Sequence, residues 1–541
     1  MDAAVENFKI NQTGENWQAV EVARQAYETA FTEAAAVNAI SSTPVLASSA
    51  VLQQQTLVAI KQGLNPAQKK IGSRLFINIL KSRNQLPQQL SSLRTTVQTT
   101  TDGLAVVDVT AKNRTAGLKI LDRYGIRVRN AVGNMIRAEV PFNQLETVAG
   151  NAEIISIREA LKAATHSANG QISGTESMPK EQVAAAKRAM LRDRLKSAMA
   201  KMVVNVSEGD KTHRAEAARN AFGVNGSGVK IGVLSDAVDS LAAAVASGDL
   251  PPVTVLPGQA GSGGDEGTAM LEIVHDLAPG AQLYFATAFT SITSFAQNIR
   301  DLRTAGCDII VDDIIYFAES PFQDGQAGSV VSPTNAGVVI QAVKDVTAAG
   351  ALYFSSAGNE GNVTDGTSGT WEGNFNPSAA ADPGPLAGAN LHNFGDGGNS
   401  NLVTASGPVV TMHWSDPLGA AGTDYDIYDM NGTLTTIFDA STDVQDGDDD
   451  PFEAFGGAFT GERLLVDQFA APNGPRYIRV ENFRGTLAQN TPGASFGHSC
   501  AALALGVAAT PAAAAFGPGE PTGPFPNPHS GTNVSETFTA D

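Results

Sequence analysis

Between residues 229 and 356 continuous apolar runs alternate with amphipathic ones, and few folds accept that pattern. The runs at 229–234, 282–286, 308–315 and 351–355 are apolar on both faces, as strands buried on both sides must be. The segments at 266–277, 292–305 and 336–349 instead repeat their apolar residues at helical spacing. Strands joined by helices predict an α/β fold with a parallel sheet covered by helices. Such sheets bind ligands beyond the carboxyl ends of their strands. The residues that follow each strand are therefore where chemistry is expected, beginning with Asp236 and the neighbouring Asp239 after the first strand.

The flanking sequence has other periods, and 541 residues suffice for three or four domains. Residues 1–98 read as helical, with an apolar-spaced run at 17–36. Residues 99–163 order their elements β-α-β-β-α-β, the ferredoxin-like arrangement. A polar stretch, 164–208, suits a linker open to proteolysis. The α/β pattern occupies 209–361 and resumes at 486–541 with GHSCAALALGVAATP. Between them, 362–485 holds short alternating runs such as VVTMHWSD, DYDIYDM and RYIRVENF, which predict an inserted β-sandwich.

A net charge of −19 argues against nucleic-acid and anionic-membrane partners. The most apolar tract, 500–516, is broken by Gly506 and Pro511, so no membrane span is expected. Two cysteines, Cys307 and Cys500, exclude a disulfide framework and read as buried free thiols. The acidic run DVQDGDDDPFE at 443–453 offers carboxylates to a structural calcium ion without the spacing of a defined loop. A solvated acidic turn is the preferred reading there, and no cofactor is required.

Three ordered motifs resemble subtilisin-like serine peptidases of the subtilase and sedolisin superfamily (S8/S53). DEGTAMLEIVHDLAPGA matches the helix that follows the family's His-Gly-Thr, with Glu266 in the place of the catalytic histidine. VTAAGALYFSSAGNEGN follows the family's helix, buried strand and Ala-Gly-Asn-Glu-Gly turn, placing Asn359 as the oxyanion donor. Gly358 and Gly361 would let that turn close against the substrate. VKIGVLSDAVDS resembles the strand carrying the family's aspartate, with Ser235 at the aligned place and Asp236 one later. A one-residue slip reverses direction on a regular strand, so Asp236 fits only if the strand has ended. Asp312 and Asp313 interrupt the strand that flanks substrate in the family; adjacent residues face opposite ways, so at most one of the two can aim into the cleft. Its partner would be protonated Glu266 or a cation.

The resemblance implies a serine-type endopeptidase acting on protein or peptide substrates and exported from the cytoplasm, with 99–163 as a propeptide. No signal peptide is visible at the N-terminus. The general base would be Glu266, oriented by Asp236 or by Asp312 or Asp313, and best suited to acidic conditions with a pKa near 4–5. His275 lies nine residues along the helix from Glu266, about 180° round and roughly 13 Å away, and cannot replace it. The sedolisin pattern needs a second acid four residues on, where this chain has Met270. The Gly-Thr-Ser…Pro-His signature is absent: Ser495 in GASFGH is a poor stand-in, and the serine segment is expected after Asp541. Structural alternatives stay open, with Glu266 a first-turn carboxylate favoured by the helix dipole and Asn359 part of a plain turn. So do an inactive pseudopeptidase and a β-sandwich binding or adhesion module.

Overall fold

A computed structural model describes residues 49–160, 162–165, 206–207, 209–210, 213–321, 335–378, 386, 388–510 and 535–541. The helix expected at 17–36 and most of the linker expected at 164–208 lie outside the described residues. From the N-terminus, helices α1 (Ser49–Gly63) and α2 (Ser73–Ser82) lead into strand β1 (Ala105–Ala111) and helix α3 (Arg114–Arg123). Strands β2 (Arg127–Val132) and β3 (Met135–Val140), helix α4 (Leu145–Ala149) and strand β4 (Ile154–Glu159) follow. The sheet order β2-β3-β1-β4, with antiparallel neighbours throughout, is the ferredoxin-like one. Leu75, Phe76 and Ile79 of α2 share its core with Val107, Ile120, Ile136 and Ile157. The charged residues buried on this sheet are paired: Arg137 donates from Nε and Nη2 to both carboxylate oxygens of Asp108, each at 2.8 Å.

Beyond β4 a short strand, β5 (Ala163–Thr165), leaves this sheet, and helix α5 (Ala215–Phe222) precedes the parallel region. There β6 (Lys230–Ser235), β7 (Thr254–Val255), helix α6 (Glu266–Leu277), β8 (Gln282–Thr287), helix α7 (Ile292–Thr304) and β9 (Ile309–Asp312) follow in turn. After them come β10 (Ile314–Tyr316), helix α8 (Asn335–Ala348) and β11 (Leu352–Ser356). The expected strand over 308–315 is thus two strands broken at Asp313. There the chain leaves the sheet, and β10 pairs with β5 instead.

Residues 370–487 form two antiparallel sheets. Their strands are β12 (Thr370–Asn374), β13 (Asn401–Ala405), β14 (Gly407–Trp414), β15 (Asp424–Met430), β16 (Ile437–Ser441), β17 (Phe452–Ala458), β18 (Arg463–Ala470), β19 (Tyr477–Asn482) and β20 (Thr486–Leu487). One sheet runs β12-β19-β14-β17 and the other β16-β15-β18-β13-β20, with Val410, Trp414, Tyr425, Ile427 and Val480 in a common core. The chain then returns as β21 (Ala504–Val507), parallel to β11. The completed parallel sheet has the order β21-β11-β9-β6-β8-β7. The order reverses at β6, whose neighbours are β8 on one side and β9 on the other, and this switch point opens a crevice at the strand ends.

The N-terminal elements pack on the antiparallel module. Ala50 and Leu57 of α1 join Tyr428, Met430 and Ile437 in one buried cluster. Lys61 reaches Asp424 and Asp426, each at 2.6 Å, with all three side chains buried. Arg94 pairs with Asp429 and Glu462, and Arg74 with Asp439. The acidic run 443–453 is part of this contact: Arg158 holds Asp443 and Asp449, and Lys69 holds Asp446. It is therefore an ion-paired interface rather than the solvated turn expected from sequence. Cys307 is buried, Cys500 half-buried, and both are free thiols. Among the described residues, no helix is long and apolar enough to cross a membrane.

Candidate active site

The crevice at the switch point gathers the acids flagged by sequence. β6 ends at Ser235, whose side chain is fully buried, so Asp236 stands just past the strand, where its direction is set by the turn. Its Oδ1 accepts the amide N–H of Ala237 at 2.5 Å and of Gly267 at 3.2 Å. The carboxylate therefore lies against the first turn of α6, and Gly264 makes room, since a Cβ there would overlap it. Burial raises the Asp236 pKa, and the amides of Ala237, Gly267 and Glu266 oppose that rise. Asp239 instead accepts the amide of Gly263 at 3.0 Å, in the outer part of the same loop.

Glu266 opens α6 and is half-buried, with His275 in the helix's last turn. Burial pushes its carboxyl up to about 8, reinforced by the carboxylates of Asp313 and Asp236; a hydrogen bond from the Thr165 hydroxyl acts the other way. The value of 4–5 expected from sequence belongs to a solvated side chain. Here two acids and the neighbouring strand favour the protonated form, and Glu266 shares a hydrogen bond with Asp313. Asp313 owes its place to the break between β9 and β10.

Asp312 faces the other way and is buried beneath the crevice floor. Its Oδ1 accepts from Ser355 Oγ at 2.8 Å, from the Ile314 amide at 3.2 Å and from His498 Nε2 at 3.0 Å. The other ring nitrogen of His498 faces Glu319 at 2.8 Å, and its amide also donates to Glu319 at 2.9 Å. Carboxylates facing both ring nitrogens favour the imidazolium, which donates from both. Burial opposes the charge, but Glu319 and Asp312 together hold its pKa well above the usual value. His498 thereby ties β9, β11 and the segment after β10 to the 497–500 turn. Sequence reasoning passed over His498 and Glu319; the signal was Gly497-His498 opening the return to the parallel sheet, with the glycine at φ +71°.

The AGNEG turn follows β11 at the same end of the sheet. Gly358 and Gly361 take φ of +102° and +77°, and a Cβ on Gly361 would collide with the Thr367 carbonyl. Gly358 O accepts from Ala540 N at 2.9 Å, and Gly361 N donates to Phe538 O at 3.0 Å, so 535–541 braces the turn. Asn359 is half-buried in the turn, and Glu360 is buried next to it. Ser495 donates its hydroxyl to Ala357 O at 2.8 Å and bonds the turn backbone rather than Glu266. A narrow cavity beside the turn is lined by Ile314, Ala357, Glu360, Phe496 and His498.

The crevice is occupied by the chain itself. β5 lies antiparallel to β10, with Thr165 opposite Ile314, Ala164 opposite Ile315 and Ala163 opposite Tyr316. All three β5 residues are buried. The Thr165 side chain meets Glu266, while its carbonyl accepts from Arg484 Nη2 at 2.8 Å. Arg484, carried by the turn between β19 and β20, also feels the charges of Glu360, Asp313 and Glu266; burial lowers its pKa against their pull. The structure thus brings Asp236, Glu266 and Asp313 together and puts Asp312 in a separate buried network. Among the described residues, no group of three or more His, Cys, Asp or Glu side chains is arranged to hold a metal ion.

No family model and no curated protein matches this sequence. Among solved structures, an epidermin leader peptide processing serine protease from Staphylococcus aureus superposes with a TM-score of 0.29 and 12% identity, over 48% of this chain and 62% of its own. Fervidolysin from Fervidobacterium pennivorans, a keratinolytic enzyme related to subtilisin, gives 0.26 and 12%, over 65% of this chain and 52% of its own. The chain spans less than two thirds of the length of either structure.

Proposed function

We propose that this chain carries the substrate groove and the acid/base and oxyanion groups of a serine-type endopeptidase with a subtilisin-like α/β fold. The carrying observation is β5. A peptide segment lies as an extended antiparallel strand along β10, and its last described residue touches Glu266 while its carbonyl meets a cation. Peptidase substrates bind in that manner, by main-chain pairing along a strand edge. In this reading Glu266 takes the proton of the attacking serine hydroxyl and returns it to the leaving amine. Asp313 and Asp236 orient Glu266 and set its charge, and Asn359 donates to the oxyanion. Gly358 and Gly361 shape the turn that presents that donor.

Glu266 must be ionised to act as the base. With β5 in place it is held protonated by burial and its acidic neighbours, so the occupied groove is a resting state. Clearing the segment readmits water and lowers the Glu266 pKa. We assign residues 99–163 the role of propeptide and 362–485 that of a module inserted into the catalytic domain. The substrates are proteins or peptides met outside the cytoplasm.

The test is peptide hydrolysis: the natural protein should hydrolyse unfolded peptides. N359A should lower kcat by about 10²–10³. No hydrolysis by the natural protein at any pH contradicts the reading.

A further inference from the structure

The groove has a second wall that the parallel sheet does not supply. Ala164 belongs to one buried apolar cluster with Ile315, Phe483 and Phe496. Ile315 is on β10, but Phe483 comes from the end of β19 in the antiparallel module. Phe483 is fixed in turn by an edge-to-face contact with Phe317, their ring centroids 4.7 Å apart. The next residue, Arg484, adopts φ +54°, which points the chain back over the groove. Its guanidinium donates to the Thr165 carbonyl at 2.8 Å and lies 5.2 Å from the Phe483 ring centre. Ala163 lies on the other side, in the core cluster that includes Tyr316 and Tyr353.

Resting on the peptidase reading, we infer that Phe483 and Arg484 make the antiparallel module part of the peptide site. Arg484 holds the carbonyl of the residue beside Glu266, and Phe483 with Phe496 confines the preceding position to a small side chain. The groove therefore selects extended peptides with two successive small residues followed by a small hydroxyl residue, as Ala163, Ala164 and Thr165 are. The chemistry explains the choice of arginine: a guanidinium keeps its charge against burial and offers several N–H donors in a fixed plane. One donor meets the substrate carbonyl while the charge faces Glu360, Asp313 and Glu266.

The test is a binding experiment, independent of hydrolysis. A fluorescent Leu-Lys-Ala-Ala-Thr peptide, the sequence of residues 161–165, is titrated against the full chain carrying Ala164→Trp, which keeps its own segment out. We expect saturable binding that R484N weakens about tenfold or more, the loss of a charged hydrogen bond. Asparagine tolerates positive φ, so this variant preserves the turn. R484K should recover part of the affinity. Replacing the second alanine of the peptide by phenylalanine should weaken binding about tenfold or more, and Phe483→Ala should abolish the difference between the two peptides, a ratio that competition from the chain's own segment leaves unchanged. That change is not expected of a residue with a merely structural role.

If Ala164→Trp does not fold, hydrogen exchange of the amides at 163–165 in the otherwise natural chain answers the same question, and R484N should speed it at least about tenfold. Equal binding of both peptides to every variant, or exchange unmoved by R484N, overturns the inference. Binding that follows these dependences in a protein that never hydrolyses peptide keeps this inference and removes the peptidase reading. Hydrolysis indifferent to Phe483 and Arg484 does the reverse.

Discussion

At the scale of single residues, the site turns on where protons reside. Glu266 is pushed up to about 8, well above its ordinary range. Its folded form therefore holds a proton that the unfolded chain releases above about pH 4.5. Stability then falls as pH rises from that value towards 8 and flattens beyond, because the unfolded state binds fewer protons across this window. E266Q cannot ionise, so it should be more stable than the parent by roughly 1–3 kcal/mol at pH 8, with the gain vanishing near pH 4; urea denaturation at the two pH values measures it. His498 acts with the same sign, because its folded pKa is raised too. Its imidazolium stabilises fully below the unfolded pKa of about 6.5, and that contribution is lost only as pH climbs through the raised folded value. H498A leaves Asp312 and Glu319 buried without their shared cation and should cost about 3–5 kcal/mol, again read by denaturation.

Where these residues sit was largely legible in the sequence, because it depended on local order. A strand end places Asp236, a helix start places Glu266, and two glycines place the turn of Asn359. The opposite directions of Asp312 and Asp313 also follow from strand geometry. What was not legible required contacts across long separations. His498 meets Asp312 over 186 positions, and Arg484 meets Thr165 over 319. No periodicity records such meetings, and the Glu266 pKa could not be foreseen without the two acids and the strand that bury it.

At the scale of elements, the break between β9 and β10 is decisive. Had the apolar run continued as one strand, Asp313 would have kept to the sheet and β10 would have no free edge for β5. The AGNEG turn is equally constrained. G361A would place a side chain at φ +77° against the Thr367 carbonyl, and we expect a loss of roughly 2 kcal/mol or more. Thermal denaturation should show it, together with faster exchange of the Gly361 amide, now bonded to Phe538.

At the scale of the molecule, the N-terminal elements are anchored twice: by β5 in the groove and by buried cations on the antiparallel module. Lys61 is the clearest anchor, since Asp424 and Asp426 both converge on it. Burial raises the Asp424 carboxyl to about 7 even with Lys61 beside it. K61M removes the cation and makes at least one acid take up a proton, which costs more as pH rises. We expect destabilisation of about 3–5 kcal/mol at pH 8 and distinctly less at pH 5, measured as the denaturation midpoint of the full chain. A module that grips the N-terminal domain on one face and lends Phe483 and Arg484 to the groove on another couples the two parts.

If the acid-lined groove is a peptidase site in which Glu266 moves the proton, the natural protein hydrolyses peptides, and a hydrolysis assay decides it. Turnover of unfolded peptides bearing small residues is expected. E266Q should lose at least about 100-fold in kcat. Hydrolysis by E266Q at the parent rate, or no hydrolysis by the natural protein at any pH, would contradict this reading.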